Sequence, residues 1–316
     1  MIGFVLTRVL SAAPVLAIVS VVTFLIIWIV PGDVAAEIGG SDATPAQLEA
    51  IRQRLGLDRP LLERALLWYG NLLTGDLGHS YLLNRSVASA VLERLPVTLS
   101  LAGLALALAT VLGMLAGIAA SIRHSSPVDQ AVMTFALMGL SIPDFWFGLV
   151  LIILFGVHLG WLPTGGFVAP GEDLVGWIRS MTLPALTLAF TQMGVIARMT
   201  RSSMLDVLGQ DYVRTARAKG LRSRAVVFKH GLLNAMIPIL TVIGVMTGVV
   251  LGGAVVIESV YSLPGVGRLI IGAIQRRDYP IIQGALLVTA ATFVVVNIVV
   301  DILYGWLDPR VRHGRG

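Results

Sequence analysis

The sequence predicts an all-α integral membrane protein, and three observations carry that prediction. Only 13% of its 316 residues are charged and 56% are hydrophobic, whereas a soluble domain carries about 25% charged residues. Mean hydropathy is +0.86. Six stretches, at about 9–30, 97–121, 130–157, 181–200, 236–257 and 282–304, meet the roughly 20 mostly apolar residues a membrane helix needs. Cysteine is absent, which excludes disulfides, thiolate catalysis and Cys-ligated metals and leaves the redox compartment open.

The first stretch runs from Val9 to Val30 behind Arg8. It is much longer than the roughly 7–15 apolar residues of a secretion signal, and no convincing small-residue cleavage site follows. Residues 1–30 therefore read as a retained first transmembrane helix. Residues 31–96 read as an extracytoplasmic helical segment. There Thr44-Pro45-Ala46-Gln47 has the form of a capping box, with Thr44 as N-cap, Pro45 in the first turn and Gln47 reaching back. That helix should stop near Gly56, a second should run from about Pro60 to Leu73 ahead of Gly75, and a third should cover about 87–95. The remaining domain, 97–316, holds five of the apolar stretches. The one at 130–157 is interrupted by Pro143 and is expected to kink or tilt.

Lys and Arg placement sets the orientation. With both termini in the cytoplasm, the inner pieces are 1–8, the 122–129 turn, a basic loop at 201–235, and a 305–316 tail bearing Arg310, Arg312 and Arg315. The outer segment 258–281 carries Arg268, Arg276 and Arg277, a counter-signal. Long 31–96 weighs little, because long loops translocate largely regardless of charge.

Within the basic loop, residues 211–230 read DYVRTARAKGLRSRAVVFKH, with six Lys or Arg against one carboxylate, Asp211. Leu205, Leu208, Tyr212 and Ala216 follow helical spacing from Met204 to Ala218, and Ala225, Phe228, Leu232 and Ala235 do so beyond Gly220. Glycine tolerates positive φ, so two short amphipathic helices should meet at Gly220. Charge alone fits topology enforcement or contact with anionic membrane lipid equally well. Charge does not account for a glycine corner with a fixed apolar face on each side, which describes a rigid knob shaped to fit something.

The loop, D-Y-V-R-T-A-R-A-K-G-L followed by K-H-G-L-L-N-A-M-I-P at 229–238, resembles the coupling loop, or EAA motif, of permease subunits of binding-protein-dependent ABC importers. It is most similar to the dipeptide, oligopeptide and nickel branch. P-G-D at 31–33, L-G-L-D-R-P at 55–60, G-D-L-G at 75–78, G-L-S-I-P at 139–143, L-P-G-V-G-R at 263–268, R-D-Y-P at 277–280 and D-P-R-V-R at 308–312 extend the resemblance along nearly the whole chain. One departure stands out: the Glu-Ala-Ala slot reads Arg214-Thr215-Ala216, so no role of the leading acid carries over.

The resemblance implies a type I ABC importer permease fold in a bacterial inner membrane. It also implies a homologous second permease, two ATP-binding subunits that hold ATP and Mg, and an extracytoplasmic solute-binding protein. The chain itself would bind no cofactor. Contact with the ATPase falls to Asp211, Tyr212, Arg214, Ala216, Arg217, Lys219 and Gly220. An extracytoplasmic gate or docking surface falls to Glu258, Pro264, Gly265 and Gly267, although an ordinary outer loop is the competing reading of 258–281. Peptides are the expected cargo, with nickel, glutathione-like thiols, opines and oligosaccharides open.

Catalytic motifs are missing. The sequence has no G-x-x-x-x-G-K-[ST] phosphate loop and no H-E-x-x-H. Gly78-His79-Ser80-Tyr81-Leu82 fails the G-x-S-x-G elbow at its last position. The five His residues are scattered, so neither a catalytic nor a metal site is expected, and nothing points to nucleic acid. A stand-alone carrier and a lipid-binding scaffold remain competing classes. Asp144 and Gln192 are pathway candidates, because a carboxylate facing lipid costs at least about 2.5–3.5 kcal/mol; a polar cap beside Pro143 is the other reading of Asp144. Asn297 and Asp301 raise the same question. Gly244, Gly248 and Gly252, like Gly113 and Gly117, offer smooth faces for helix packing.

Overall fold

The computed structural model describes residues 2–29, 34–39, 43–54, 56, 58–80 and 82–307. The P-G-D and D-P-R-V-R motifs and the three arginines of the tail lie outside the described residues. Contacts divide the chain into two compact units, 2–96 with 264–295, and 97–263 with 296–316. Among the described residues four helices are long and apolar enough to cross a membrane, or five if one bent pair forms a single span.

The first unit opens with α1 (Ile2–Ile29), followed by α2 (Val34–Gly39), α3 (Pro45–Arg54) and α4 (Leu61–Leu73). The capping box is present. Thr44 N donates to Gln47 Oε1 at 2.8 Å, and Gln47 N donates back to Thr44 Oγ1 at 3.4 Å. Gly56 has φ +64 after α3. A Schellman turn ends α4, with Asp76 N bonded to Asn71 O and Gly75 N to Leu72 O around Gly75 at φ +82. Two features lie outside the three helices expected of this segment. One is α2, and the other is a two-residue hairpin, β1 (His79–Ser80) with β2 (Arg85–Ser86). Strands this short carry no readable alternation.

Next come α5 (Val87–Leu92) and the start of α6 (Leu95–Ile122). Val87, Ala90 and Val91 pack with Val266, Ile270 and Ala273 of a later helix and with Tyr279, Ile281 and Ala285. The R-D-Y-P motif is structural here. Arg277 takes φ 54, Asp278 caps the next helix through Ile281 N, and Ser80 donates to the Asp278 carboxylate.

The second unit contains most of α6, then α7 (Pro127–Ser141) and α8 (Asp144–Leu151), which runs on as a π-helical turn over Ile152–His158. The expected kink at Pro143 is a break: the two halves diverge by 106°. Proline pushes its predecessor out of the helical region, and Ile142 is extended at φ −94, ψ 125. After a loop come α9 (Leu174–Leu208), α10 (Asp211–Ala218), α11 (Ser223–Ala225), a second π turn (Val226–Leu232) and α12 (Leu233–Val260). Beyond it, α13 (Val266–Gln275) belongs to the first unit, and α14 (Tyr279–Leu307) begins in one unit and ends in the other.

Leu101 and Ala105 of α6, Leu183, Leu188 and Ile196 of α9, and Val250, Ala254 and Ile257 of α12 form the second unit's core. Tyr261 is fully buried against it and keeps its hydroxyl satisfied, donating to Gly148 O at 3.1 Å and lying 2.8 Å from Thr187 Oγ1. Small residues bring backbones together around α9. A Cβ on Gly117 would lie 2.5 Å from Ala197 O, one on Gly113 2.9 Å from Met193 O, and one on Gly194 2.7 Å from Ala136 O. The packing reading of Gly113 and Gly117 holds. By contrast, a Cβ on Gly244 would meet Val300, while Gly252 faces open space.

Candidate functional site

The basic loop folds as a corner projecting from the ends of α9 and α12. The helix expected from Met204 to Ala218 is two helices, because Gly209 and Gln210 interrupt it and Gln210 is extended at φ −70, ψ 150. The break resets the phase. Val213 (0% exposed) and Ala216 (6%) become the buried positions of α10, and Tyr212 is 45% exposed rather than on the apolar face.

Gly220 has φ +77. Leu221 N bonds to Ala216 O and Gly220 N to Arg217 O, the paired bonds of a Schellman end. The positive φ expected of Gly220 is therefore specific to this helix terminus. Asp211, Arg214, Arg217, Lys219 and Gly220 are all exposed. Asp211 and Arg214 approach to 3.5 Å, a surface pair that contributes little. The corner thus presents a cationic ridge over the buried Val213 and Ala216, with Leu221 exposed beside Gly220.

The second arm also differs from expectation. Phe228, assigned to the apolar face, is 51% exposed, while Val226 and Gly231 are buried. Their five-residue separation is the π repeat. Tyr212 Oη donates to His230 O at 3.2 Å, and Asn234 Nδ2 donates to Tyr212 Oη at 3.1 Å and to His230 O at 2.9 Å. One carbonyl of the π turn is thereby tied to α10.

A second polar cluster lies at the start of α9's last two turns. Ser126 caps α7, and Ser125 N donates to Asp129 Oδ2 at 2.9 Å. Arg201 grips the same carboxylate with two bonds, Nε to Oδ1 at 2.5 Å and Nη2 to Oδ2 at 2.7 Å. The Asp129 side chain is 5% exposed and that of Arg201 24%. Neither residue figured among the sequence candidates. Their signal was an arginine at the edge of an apolar stretch, which demands a partner.

The pathway candidates occupy neighbouring positions but not one facet. Asp144 opens α8, half-buried, and accepts a hydrogen bond from Thr191 Oγ1 of α9, while no side chain caps the start of α8. Gln192 is 2% exposed in the α9 interior. Asn297 is half-buried on α14; the Asp301 side chain lies outside the described residues. Of the gate candidates, Glu258 falls inside α12 rather than in a loop, fully buried, and accepts from Thr98 Oγ1 at 2.5 Å. Pro264 is exposed, whereas Gly265 caps α13 and, like Gly267, is buried. Among the described residues no group of three His, Asp or Glu could hold a metal ion.

Two family models match the chain: binding-protein-dependent transport system inner membrane component over residues 109–313, and the N-terminal part of such membrane components over 1–102. The chain is 43% identical over 336 residues to the di/tripeptide transport system permease protein DppB of Pseudomonas aeruginosa (strain UCBPP-PA14), covering 100% of both. It is 42% identical over 313 residues to the glutathione transport system permease protein GsiC of Escherichia coli (strain K12), covering 99% of this chain and 100% of the relative. In fold it is similar to a chain of the inward-facing MetNI methionine ABC transporter, with TM-score 0.54 at 16% identity, over 67% of this chain and 93% of that one.

Proposed function

The chain belongs to the family of binding-protein-dependent transport system inner membrane components, a multi-pass permease and not itself an ATPase, and from that premise we propose how it works. It crosses a bacterial inner membrane six times with both termini in the cytoplasm, the bent α7–α8 pair counting as one span. With a second, homologous permease it encloses a path for peptides or a similar small solute. Two ATPase subunits, which hold ATP and Mg, sit beneath the 201–235 corner. A solute-binding protein docks on the opposite side, near the exposed Pro264, with Gly265 and Gly267 buried behind it. The relatives' names, for di/tripeptides and glutathione, support this class of cargo.

The observation that carries the reading is the corner itself. Val213, Ala216 and Val226 are buried while Tyr212, Leu221 and Phe228 stay exposed among the cations, and the turn is fixed by two backbone bonds at a left-handed glycine. Asp211, Tyr212, Arg214, Arg217, Lys219 and Gly220 form the contact with the ATPase, and Ala216 lets α10 lie close to the body. ATP-driven closure of the ATPases displaces α10, and α9 and α12 follow, opening the path outward. Hydrolysis restores the inward state. A ligand shifts such an equilibrium only by its differential affinity for the two states, so ATP favours one corner position and product release the other. Asp144 and Gln192 contact the path, and the face of α12 at Gly252, where a Cβ would meet nothing, turns to the second permease.

Gly220 provides the test. Asn accepts positive φ readily and Trp does not. In proteoliposomes containing the whole complex, Gly220→Asn should keep most solute uptake. Gly220→Trp should insert and assemble normally yet hydrolyse ATP without import. Wild-type uptake by Gly220→Trp would remove the corner from the mechanism.

A further inference from the structure

The outer helix α4 shows three faces. Ala65, Trp68, Tyr69 and Leu72 are half-buried; Leu62, Leu66 and Leu73 are 73%, 67% and 89% exposed; Glu63 and Asn71, with Leu67 (48%) between them, are exposed on a third side. None of its residues is fully buried. So large an apolar strip on water would be anomalous, and its location says what covers it. Tyr69 Oη lies 3.3 Å from Ser20 Oγ, and the Trp68 and Tyr69 rings lie 5.5 and 6.2 Å from the ring of Phe24. Ser20 and Phe24 belong to α1, whose apolar sequence continues to Val30. At 1.5 Å per residue, α4 therefore meets α1 about 9–15 Å short of the end of that apolar run. Ile18, Val21 and Val22 of α1 are 64%, 48% and 53% exposed at the same level, on the sides of α1 turned away from α4, so apolar side chains face outward from both helices at this depth.

We propose that α4 is a membrane-embedded interfacial helix: Leu62, Leu66 and Leu73 lie among the acyl chains of one leaflet, and Glu63 faces the headgroups. At 13 residues it is about 20 Å long, too short for a core of about 30 Å, so it lies in the leaflet and does not cross it. Amphipathic interfacial helices bury their apolar face about 5–10 Å into the headgroup and acyl boundary, with Trp and Tyr favoured at that depth. Glu63 is paired with Arg59 at 3.0 Å, so the charged side brings a balanced pair to the headgroup level. Segment 31–96 is thus partly a lipid anchor beside α1. This inference goes beyond the coupling reading and stands whether or not the corner meets an ATPase.

The cysteine-free chain makes the test direct. Nitroxides on Leu66→Cys and Glu63→Cys, in the complete complex reconstituted in phospholipid vesicles, are power-saturated with oxygen and with a water-soluble nickel chelate. The label at 66 should relax preferentially with oxygen and the label at 63 with nickel, the ratio differing several-fold. Leu62→Cys and Leu73→Cys should follow 66. Equal nickel access at 66 and 63 would place the strip in water and overturn the proposal. Exclusion of both probes at 66 would show a protein cover and overturn it too. Loss of that exclusion when the binding protein is left out would name the cover.

Discussion

The helix running into the corner and the helix leaving it are held by opposite means. On the incoming side, α9 is a continuous 35-residue helix clamped where it nears the loop. Gly113 and Gly117 of α6, and Gly139 of α7 with Gly194 of α9 itself, let backbones meet, and a bidentate ion pair fixes Arg201 to the α7 start. On the outgoing side the chain winds as a π turn, a form that is rare and concentrated at functional sites. Side-chain hydrogen bonds from Tyr212 and Asn234 tether it. The difference teaches how a push on α10 divides. The incoming side transmits it to α6, α7 and α9 as one block, while the outgoing side can yield by rewinding one turn.

The largest effect should come from breaking the clamp. Removing one partner of a buried pair costs about 3–5 kcal/mol, and Arg201→Ala belongs near the lower end because Arg201 keeps some solvent access. Thermal unfolding in detergent should show a large loss of stability. Asp129→Asn combined with Arg201→Gln should recover part of it, because no bare charge is left. A single variant as stable as wild type would mean that the two sides do not differ in stiffness.

The second effect tests the close approach. Gly117→Val puts side-chain atoms against backbone, at Ala197 O and Arg201 N, and such overpacking typically costs about 1–3 kcal/mol. Gly252→Val is the control on the other helix, where a Cβ meets nothing within 4 Å. Unfolding of the isolated chain should separate the two variants clearly. If both are equally mild, α6 and α9 slide easily and the clamp rests on the ion pair alone.

Much of this was legible wherever the signal was local. Thr44 with Gln47, and Gly220 at its helix end, are cases in which one or two residues set the backbone. Apolar length marked the long helices for the same reason. What escaped depends on phase or on distance. Two interruptions, at Gly209-Gln210 and in the π turn, shift the buried positions, so helical spacing misplaced Tyr212 and Phe228. The Asp129–Arg201 pair joins residues 72 apart, and nothing near either one names the other. The bend at Pro143 was readable as an interruption, but its angle is set by packing of α8 on α9.

The smallest effect is the most discriminating for the soft side. Tyr212→Phe removes one hydroxyl that donates to His230 O and accepts from Asn234. A hydrogen bond contributes about 0.5–1.5 kcal/mol net, and Tyr212 is 45% exposed, so water replaces much of what is lost. The unfolding temperature should barely move. The tether between α10 and the π turn is nevertheless gone, and solute imported per ATP hydrolysed should fall, because α12 no longer follows the corner fully. Asn234→Ala removes the Nδ2 bond to Tyr212 Oη but leaves Tyr212 bonded to His230 O, so it should act in the same direction and less strongly, the double variant matching Tyr212→Phe. If import per ATP is unchanged in the double variant, the π turn carries no share of the motion and α9 alone moves the permease.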